Sequence, residues 1–105
     1  MGEAEIPRNV SIAVGTSAVL ISPQLQYGQR KALALTNSST GGQIIYIYWG
    51  QQPISAAGGV PLYPTGGSWS ESVDSVFVPL SCEVWAIGSA VSGILSVHER
   101  VGRGL

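Results

Sequence analysis

The sequence predicts an all-β domain, an antiparallel β-sandwich or barrel with about seven to eight short strands. Short runs rich in Val, Ile, Tyr and Trp alternate with clusters of Gly, Ser, Pro and Asn, a texture typical of sandwiches and barrels. The 14 glycines and 6 prolines leave little room for a long helix. Apolar residues make up 45% of the 105 residues, which is enough for one hydrophobic core.

Turn-forming residues separate the candidate strands of the first half. Gly15, Thr16 and Ser17 divide the first two strands. Residues 37–42, which read Asn-Ser-Ser-Thr-Gly-Gly, are expected to join the next two strands as a hairpin, because Asn and Gly tolerate the positive φ of such turns. These first four strands are residues 10–14, 18–21, 30–36 and 43–49.

The second half starts with a loop-like segment, residues 51–67, which encloses a short strand at residues 60–63. Short strands then flank the polar Glu71 and Asp74, and a turn at residues 90–93 joins the last two strands. These later strands are residues 69–72, 76–78, 83–89 and 94–99.

Alternation along the strands predicts which side chains form the core. Leu33 and Leu35 share one face of their strand, and Leu95 and Val97 share one face of the last strand. Residues 43–49 are apolar on both faces, so this strand is expected to be covered twice, either as a central strand or through a subunit contact.

Charge is unusually sparse. Charged residues make up 10% of the chain, whereas about 25% is usual. The net charge of -1 argues against a nucleic-acid-binding protein and against attraction to anionic membranes. Residues 32–70 contain no Asp, Glu, Lys or Arg, so few charges can protect exposed strand edges. We therefore expect partner chains to cover the edges, with a homo-oligomer formed and a trimer favoured.

Residues 10–99 are expected to form the single sandwich domain, between a flexible N-terminal arm at residues 1–9 and a C-terminal tail at residues 100–105. Charge gathers in the two end segments, which suggests that they contact a partner. The candidate arm contacts are Glu3, Glu5, Arg8, Arg100 and Arg103. The N-terminal residues lack the positive start and apolar run of a signal peptide, and no segment is apolar enough to span a membrane, so we expect synthesis in a host cytoplasm.

No residue pattern predicts catalysis, a cofactor or a metal site. The chain has one cysteine, Cys82, and one histidine, His98, and neither lies in a motif typical of an activated nucleophile or a metal ligand. Glu71 and Asp74 lie in a predicted loop, where a turn cap or a solvated patch explains them. The sequence therefore predicts a protein that is not an enzyme.

Five aromatic residues form the candidate contact surface, and all of them lie within the uncharged stretch, residues 32–70. They are Tyr46, Tyr48, Trp49, Tyr63 and Trp69. Three interpretations stay open for them: packing in the core, contact between subunits, and a stacking platform for sugars.

Several segments resemble small structural proteins of tailed-phage virions. They are residues 14–22, residues 29–47 with the run Leu-Thr-Asn-Ser-Ser-Thr-Gly-Gly-Gln, residues 59–64 (Gly-Val-Pro-Leu-Tyr-Pro) with Gly67 and Ser68, and residues 84–99. The resemblance implies a sandwich or jelly-roll module of a capsid or tail, and it carries over no catalytic residue.

The function expected from these observations is that of a virion structural protein, a decoration or cement protein that binds and stabilises an icosahedral shell. Its partner would be the major capsid protein or another virion protein. The alternatives are a glycan-binding module of a phage tail or spike, and a minor coat or turret subunit of a non-tailed virus.

Overall fold

The computed structural model describes residues 5–53, 55 and 58–102, and every regular element within them is a β-strand. The strands are β1 (Glu5–Val14), β2 (Val19–Ser22), β3 (Arg30–Asn37), β4 (Ile45–Trp49), β5 (Val60–Leu62), β6 (Ser68–Ser72), β7 (Val84–Gly88) and β8 (Gly93–Gly102). The predicted all-β sandwich is confirmed.

The strands form two antiparallel four-stranded sheets. The first sheet has the order β1-β8-β3-β6 and the second has the order β2-β7-β4-β5. The chain pairs as one long hairpin would, with β1 against β8, β2 against β7, β3 against β6 and β4 against β5. That hairpin is rolled up so that β3 also pairs with β8 and β4 with β7, which is the jelly-roll arrangement.

Side chains from both sheets form one core between them. Leu33, Leu35, Leu95 and Val97 are all fully buried, as the alternation predicts. The remaining buried members come from five of the other strands, and they are Val14, Ile21, Ile45, Ile47, Leu62, Val84 and Ala86.

The outer face of β4 is covered by the chain itself. The Tyr48 hydroxyl donates to the carbonyl oxygen of Ser55 at 2.6 Å and accepts from the backbone N–H of Gly58 at 2.8 Å. Gly59 lies so close that a Cβ there would sit 2.8 Å from the Cβ of Tyr46. The double coverage predicted for this strand therefore comes from the loop between β4 and β5.

The predicted hairpin across residues 37–42 is wrong, because β3 and β4 belong to different sheets. Asn37 does not supply a positive φ here. Its buried side chain donates from Nδ2 to the carbonyl oxygens of Gln43 at 2.8 Å and Leu62 at 2.7 Å. The asparagine thus bridges the crossing from one sheet to the other. The turn at residues 89–92 likewise crosses between sheets, from β7 to β8.

The predicted strand at residues 76–78 is also wrong, since these residues form part of a loop. Asp74 bends the chain there, because its Oδ1 accepts from the backbone N–H groups of Val76 and Phe77, both at 2.8 Å. A carboxylate that caps its own turn competes with strand pairing for those backbone groups.

The predicted arms require correction. Residues 5–9 pair with β8 from Glu5 opposite Gly102 onward, so they form the first half of β1, and residues 100–102 belong to β8. Apolar residues in fact recur at alternate positions of β1, at Ile6, Val10, Ile12 and Val14. The remaining parts of the predicted arms, residues 1–4 and 103–105, lie outside the described residues.

Candidate functional site

Three buried polar side chains form a hydrogen-bonded ion network. Arg30 on β3 is fully buried, and Glu99 on the neighbouring β8 is 3% exposed. Arg30 Nε donates to Glu99 Oε2 at 2.9 Å. The hydroxyl of Ser22 on β2 donates to the same oxygen at 2.7 Å and accepts from Arg30 Nη2 at 2.7 Å. Because β2 belongs to the second sheet and the other two strands to the first, the network ties the sheets together.

Arg30 also holds two loops by their backbone carbonyls. Its Nη1 donates to the carbonyl oxygens of Leu80 and Cys82, the latter at 3.1 Å, and its Nη2 donates to that of Pro23 at 3.2 Å. Removing an arginine and a glutamate from water costs several kcal/mol for each ion, so a buried pair is tolerated only where its hydrogen-bonding capacity is used. Here all three guanidinium nitrogens are used, which fixes the loops on either side.

Arg8 completes the network from β1. Its Nη1 donates to Glu99 Oε1 at 2.9 Å, and its Nη2 donates to the carbonyl oxygen of Ile21 at 2.8 Å. Its side chain is 36% exposed, so this ion pair is the wetter of the two. Arg8 therefore binds within its own domain, rather than extending from it as the arm contact that the sequence predicted.

The network sets the titration of Glu99. Burial alone would raise the pKa of this carboxyl. Hydrogen bonds from Ser22, Arg30 and Arg8, together with the charge of Arg30, outweigh the burial, so the pKa lies below its ordinary value of 4.5.

Stability is therefore expected to fall as the protein is acidified below about pH 4.5, the ordinary pKa of a glutamate. A carboxyl whose pKa is lower in the folded state contributes stability that is fully present above its unfolded-state pKa. That contribution is lost as the pH falls through the folded-state pKa. Urea unfolding from about pH 7 to about pH 3 should show the loss, and Glu99→Gln should flatten the dependence. An equally steep dependence in the variant would contradict the assignment to Glu99.

Exposed apolar side chains lie on two adjacent loops, and besides Val73 next to β6 there are four of them. Tyr27 lies between β2 and β3, whereas Val76, Phe77 and Leu80 lie between β6 and β7. Their exposed fractions are 83%, 92%, 41% and 58% in that order. We call these four residues the apolar loop surface. Single exposed apolar residues are common, but several on two loops that are joined by a hydrogen bond make these loops the candidate interaction site.

The two loops that carry the apolar loop surface are held rigidly. Leu25 N donates to the carbonyl oxygen of Ser81 at 2.7 Å, which joins one loop to the other. Arg30 binds a carbonyl in each loop, and Asp74 closes the turn that presents Val76. The sequence does not reveal this surface, because the apolar residues 76–78 predict a short strand. The signal that could have revealed it is a run from Ser75 to Cys82 that is apolar and free of charge.

The structure divides the predicted aromatic contact surface among the two faces of the second sheet, the turn that follows β5, and strand β6 of the first sheet. Tyr46 and Tyr48 lie half-buried on the outer face, under the loop between β4 and β5. Trp49 packs against the core, and its ring centroid lies 5.4 Å from that of Trp69, which is tilted relative to it. Tyr63 is 60% exposed beyond β5. The five therefore do not form one stacking platform.

Glu71 lies beside this tryptophan pair at the edge of the first sheet. Burial raises the pKa of Glu71, and a hydrogen bond from Trp69 and the charge of Arg30 lower it only in part. Within the described residues, Glu71 Oε1 and Trp49 Nε1 are buried and have no hydrogen-bond partner. Unpaired buried polar atoms lower the free energy of unfolding, so the hydrogen-bonding capacity beside β6 is incompletely used.

The remaining candidate residues are scattered. Arg100 is exposed on β8, and the backbone of Glu5 pairs at the end of β1, whereas Glu3 and Arg103 lie outside the described residues. Cys82 carries a free, partly buried thiol. In the part of the chain that the structure describes, no three His, Cys, Asp or Glu side chains are grouped as metal ligands, and no helix is long and apolar enough to cross a membrane.

Comparison with known proteins gives one informative likeness. No family model matches the chain, and no curated protein matches it. Among solved structures, the fold is similar to a chain from Bacillus endospore appendages, which are described as forming a novel family of disulfide-linked pili. The TM-score is 0.57 at 17% sequence identity, and the match covers 99% of this chain and 93% of the other. At this identity the likeness concerns the fold.

Proposed function

We propose that this chain is a non-enzymatic structural subunit that attaches to a larger protein assembly through its apolar loop surface. The observation that carries the proposal is the rigid presentation of Tyr27, Val76, Phe77 and Leu80 by the buried Arg30 network. Aromatic and apolar anchors on a preorganised backbone bind with little loss of conformational entropy. Burying the Arg30–Glu99 ion pair costs desolvation free energy, and a need to keep the two loops in one conformation would explain why the pair is present.

The assembly that we favour is an icosahedral viral shell, on which the chain acts as a decoration protein. The resemblance of several segments to small virion proteins of tailed phages supports this choice. A decoration protein needs a compact module with neutral adhesive surfaces, and charged residues make up only 10% of this chain.

Shell binding is expected to weaken at least about tenfold in the double variant Val76→Ser, Phe77→Ser, because two exposed anchors are lost. Binding would be measured by co-sedimentation with empty shells purified without the decoration protein. The matched control is Val91→Ser, which removes a similarly exposed valine from a different loop, 67% exposed, between β7 and β8. Full binding by the double variant would place attachment elsewhere, and loss of binding in the control would show that the effect is not specific to the surface.

A second candidate is a subunit of a filamentous appendage, which the fold likeness to the endospore appendage chain favours. The two candidates differ in what the purified protein does alone. An appendage subunit assembles into fibres that are visible by electron microscopy, whereas a decoration protein stays small until shells are added. Each subunit could contribute at most one cysteine to a disulfide here, since Cys82 is the only cysteine.

A further inference from the structure

Each sheet of a sandwich ends in two strands whose outer sides lack a neighbour, and these four edges differ in how well they are protected. The edges here are β1 and β6 in the first sheet and β2 and β5 in the second. Unprotected edges pair with strands of other chains, and proteins block this with prolines, bulges or charged side chains.

Prolines protect β1 and β5. Ser38 N donates to the carbonyl oxygen of Ile94, so every second residue of β8, counted from Ile94, directs its backbone groups toward β3. Arg100 is one of these residues and lies opposite Pro7. The backbone of Pro7 therefore faces the free side of β1. Ser89 N donates to the carbonyl oxygen of Ile44, which by the same reasoning directs the backbone of Pro61 to the free side of β5. A proline there offers no N–H to an incoming strand. Strand β2 has four residues and an irregular register between Leu20 and Ser22.

Strand β6 has none of these protections. It reads Ser-Trp-Ser-Glu-Ser and pairs with β3 in continuous register. Val73 N donates to the carbonyl oxygen of Lys31, so Trp69 and Glu71 direct their backbone groups toward β3. Ser68, Ser70 and Ser72 consequently direct their N–H and C=O groups to the free side. All three serines are exposed, and the strand's single charge, Glu71, points into the sandwich.

We propose that two copies of this chain associate through their β6 strands, which pair antiparallel about a two-fold axis and join the two first sheets into one continuous sheet. This interface deepens the proposed structural role and rests on it. The register that uses every free group places Ser70 opposite its own counterpart and Ser68 opposite Ser72 of the second copy. Each of these pairs exchanges both backbone hydrogen bonds.

The same register brings the partly buried carboxyl of Glu71 to the interface. With Ser70 on the axis, Glu71 comes opposite Trp69 of the second copy, at the short spacing of a pair that is not hydrogen-bonded through the backbone. Glu71 Oε1, which has no partner among the described residues, then lies next to the interface, whereas the indole N–H of Trp69 is already used by Glu71 of its own chain. Two-fold pairing gives dimers or assemblies built from dimers, and the trimer expected from sequence stays a separate prediction.

The test is the solution mass of the purified protein and its variants by light scattering. We expect twice the monomer mass of 10.9 kDa for the unmodified chain, and at least a tenfold higher dissociation constant for Ser70→Pro. Proline at this position removes the N–H on the free side and leaves the pairing with β3 intact. The control Ser70→Ala keeps that N–H and should remain dimeric. A monomeric unmodified protein, or a Ser70→Pro variant that still dimerises, would overturn the proposal.

A second test uses charged substitutions, in case the proline variant does not fold. It also reports the register in which the two β6 strands pair. In S68K/S72K the new lysines face each other across the axis and should abolish dimers. In S68K/S72E each lysine faces a glutamate of the other copy, so dimers should persist. Equal behaviour of the two variants would overturn the proposed register. If the unmodified protein is dimeric but does not bind shells, only the proposed function is contradicted, because solution mass and shell binding are measured separately.

Discussion

Arg30→Met is expected to lower the free energy of unfolding by about 3–5 kcal/mol, the usual consequence of removing one partner from a buried ion pair. The substitution leaves Glu99 buried with its main charge partner gone, and it also leaves the carbonyl oxygens of Leu80 and Cys82 without their donor. A domain of this size is stabilised by roughly 5–15 kcal/mol, so the loss would be a large part of the total. Urea unfolding at neutral pH measures it.

Two further variants test the physical origin of that loss. Arg8→Met removes the more exposed partner of the same carboxylate and should cost clearly less, because water can replace it. The double variant Arg30→Met, Glu99→Met removes both charges of the buried pair, and it should recover much of the stability lost in Arg30→Met. If the double variant recovers no stability relative to Arg30→Met, the loss comes mainly from the loop carbonyls and not from the unpaired charge of Glu99.

The faces of the strands were predictable because alternation is a local property. Leu33 and Leu35 are two positions apart, and any strand that contains them puts both on one side. The ion network was not predictable in this way. Arg30 and Glu99 are 69 positions apart in sequence, and only the pairing of β3 with β8 brings them together. In the sequence they appear as two of the few charges in a neutral chain, with no indication that either is buried.

Local turn chemistry also fails to specify which sheet the next strand joins. Residues 37–42 read as a hairpin, yet Asn37 bridges two sheets through its side chain. At the N-terminus, Arg8 takes the place of an apolar residue in the alternation of β1 because it reaches Glu99. Because this inward position is charged, the apolar alternation that would predict the first half of β1 is interrupted. Both errors come from polar side chains that act over long sequence separations.

The candidate site was predictable only in outline. The neutral composition directs attention to protein contact, and residues 75–82 contain no charge. Whether Val76 and Phe77 are exposed depends on the turn that Asp74 closes, and the anchoring of Leu80 depends on Arg30 from another strand. The free edge of β6 depends on strand order, which is a property of the whole chain. Composition thus predicts that the protein has contact surfaces, and the strand topology determines their position on the fold.

Leu95→Ala is expected to cost about 2–5 kcal/mol, because it removes a fully buried side chain and leaves a cavity. Leu95 lies on β8, whose neighbours β1 and β3 hold it from both sides, so the surroundings have little freedom to collapse into the space. At about 4–8 °C per kcal/mol for a domain of this size, the melting temperature should drop by at least about 8 °C. Thermal unfolding followed by circular dichroism measures the change.

The adjacent residue supplies a matched control for the same strand. Ile94→Ala removes a side chain of equal size that is 42% exposed on the opposite face, so little cavity forms and its cost should be well below that of Leu95→Ala. The difference between the two variants reports the register of β8 directly, because a shift by one residue would exchange their environments. Equal losses, or a larger loss for Ile94→Ala, would contradict the inward assignment of Leu95 and with it the register that aligns Glu99 with Arg8 and the buried Arg30 network.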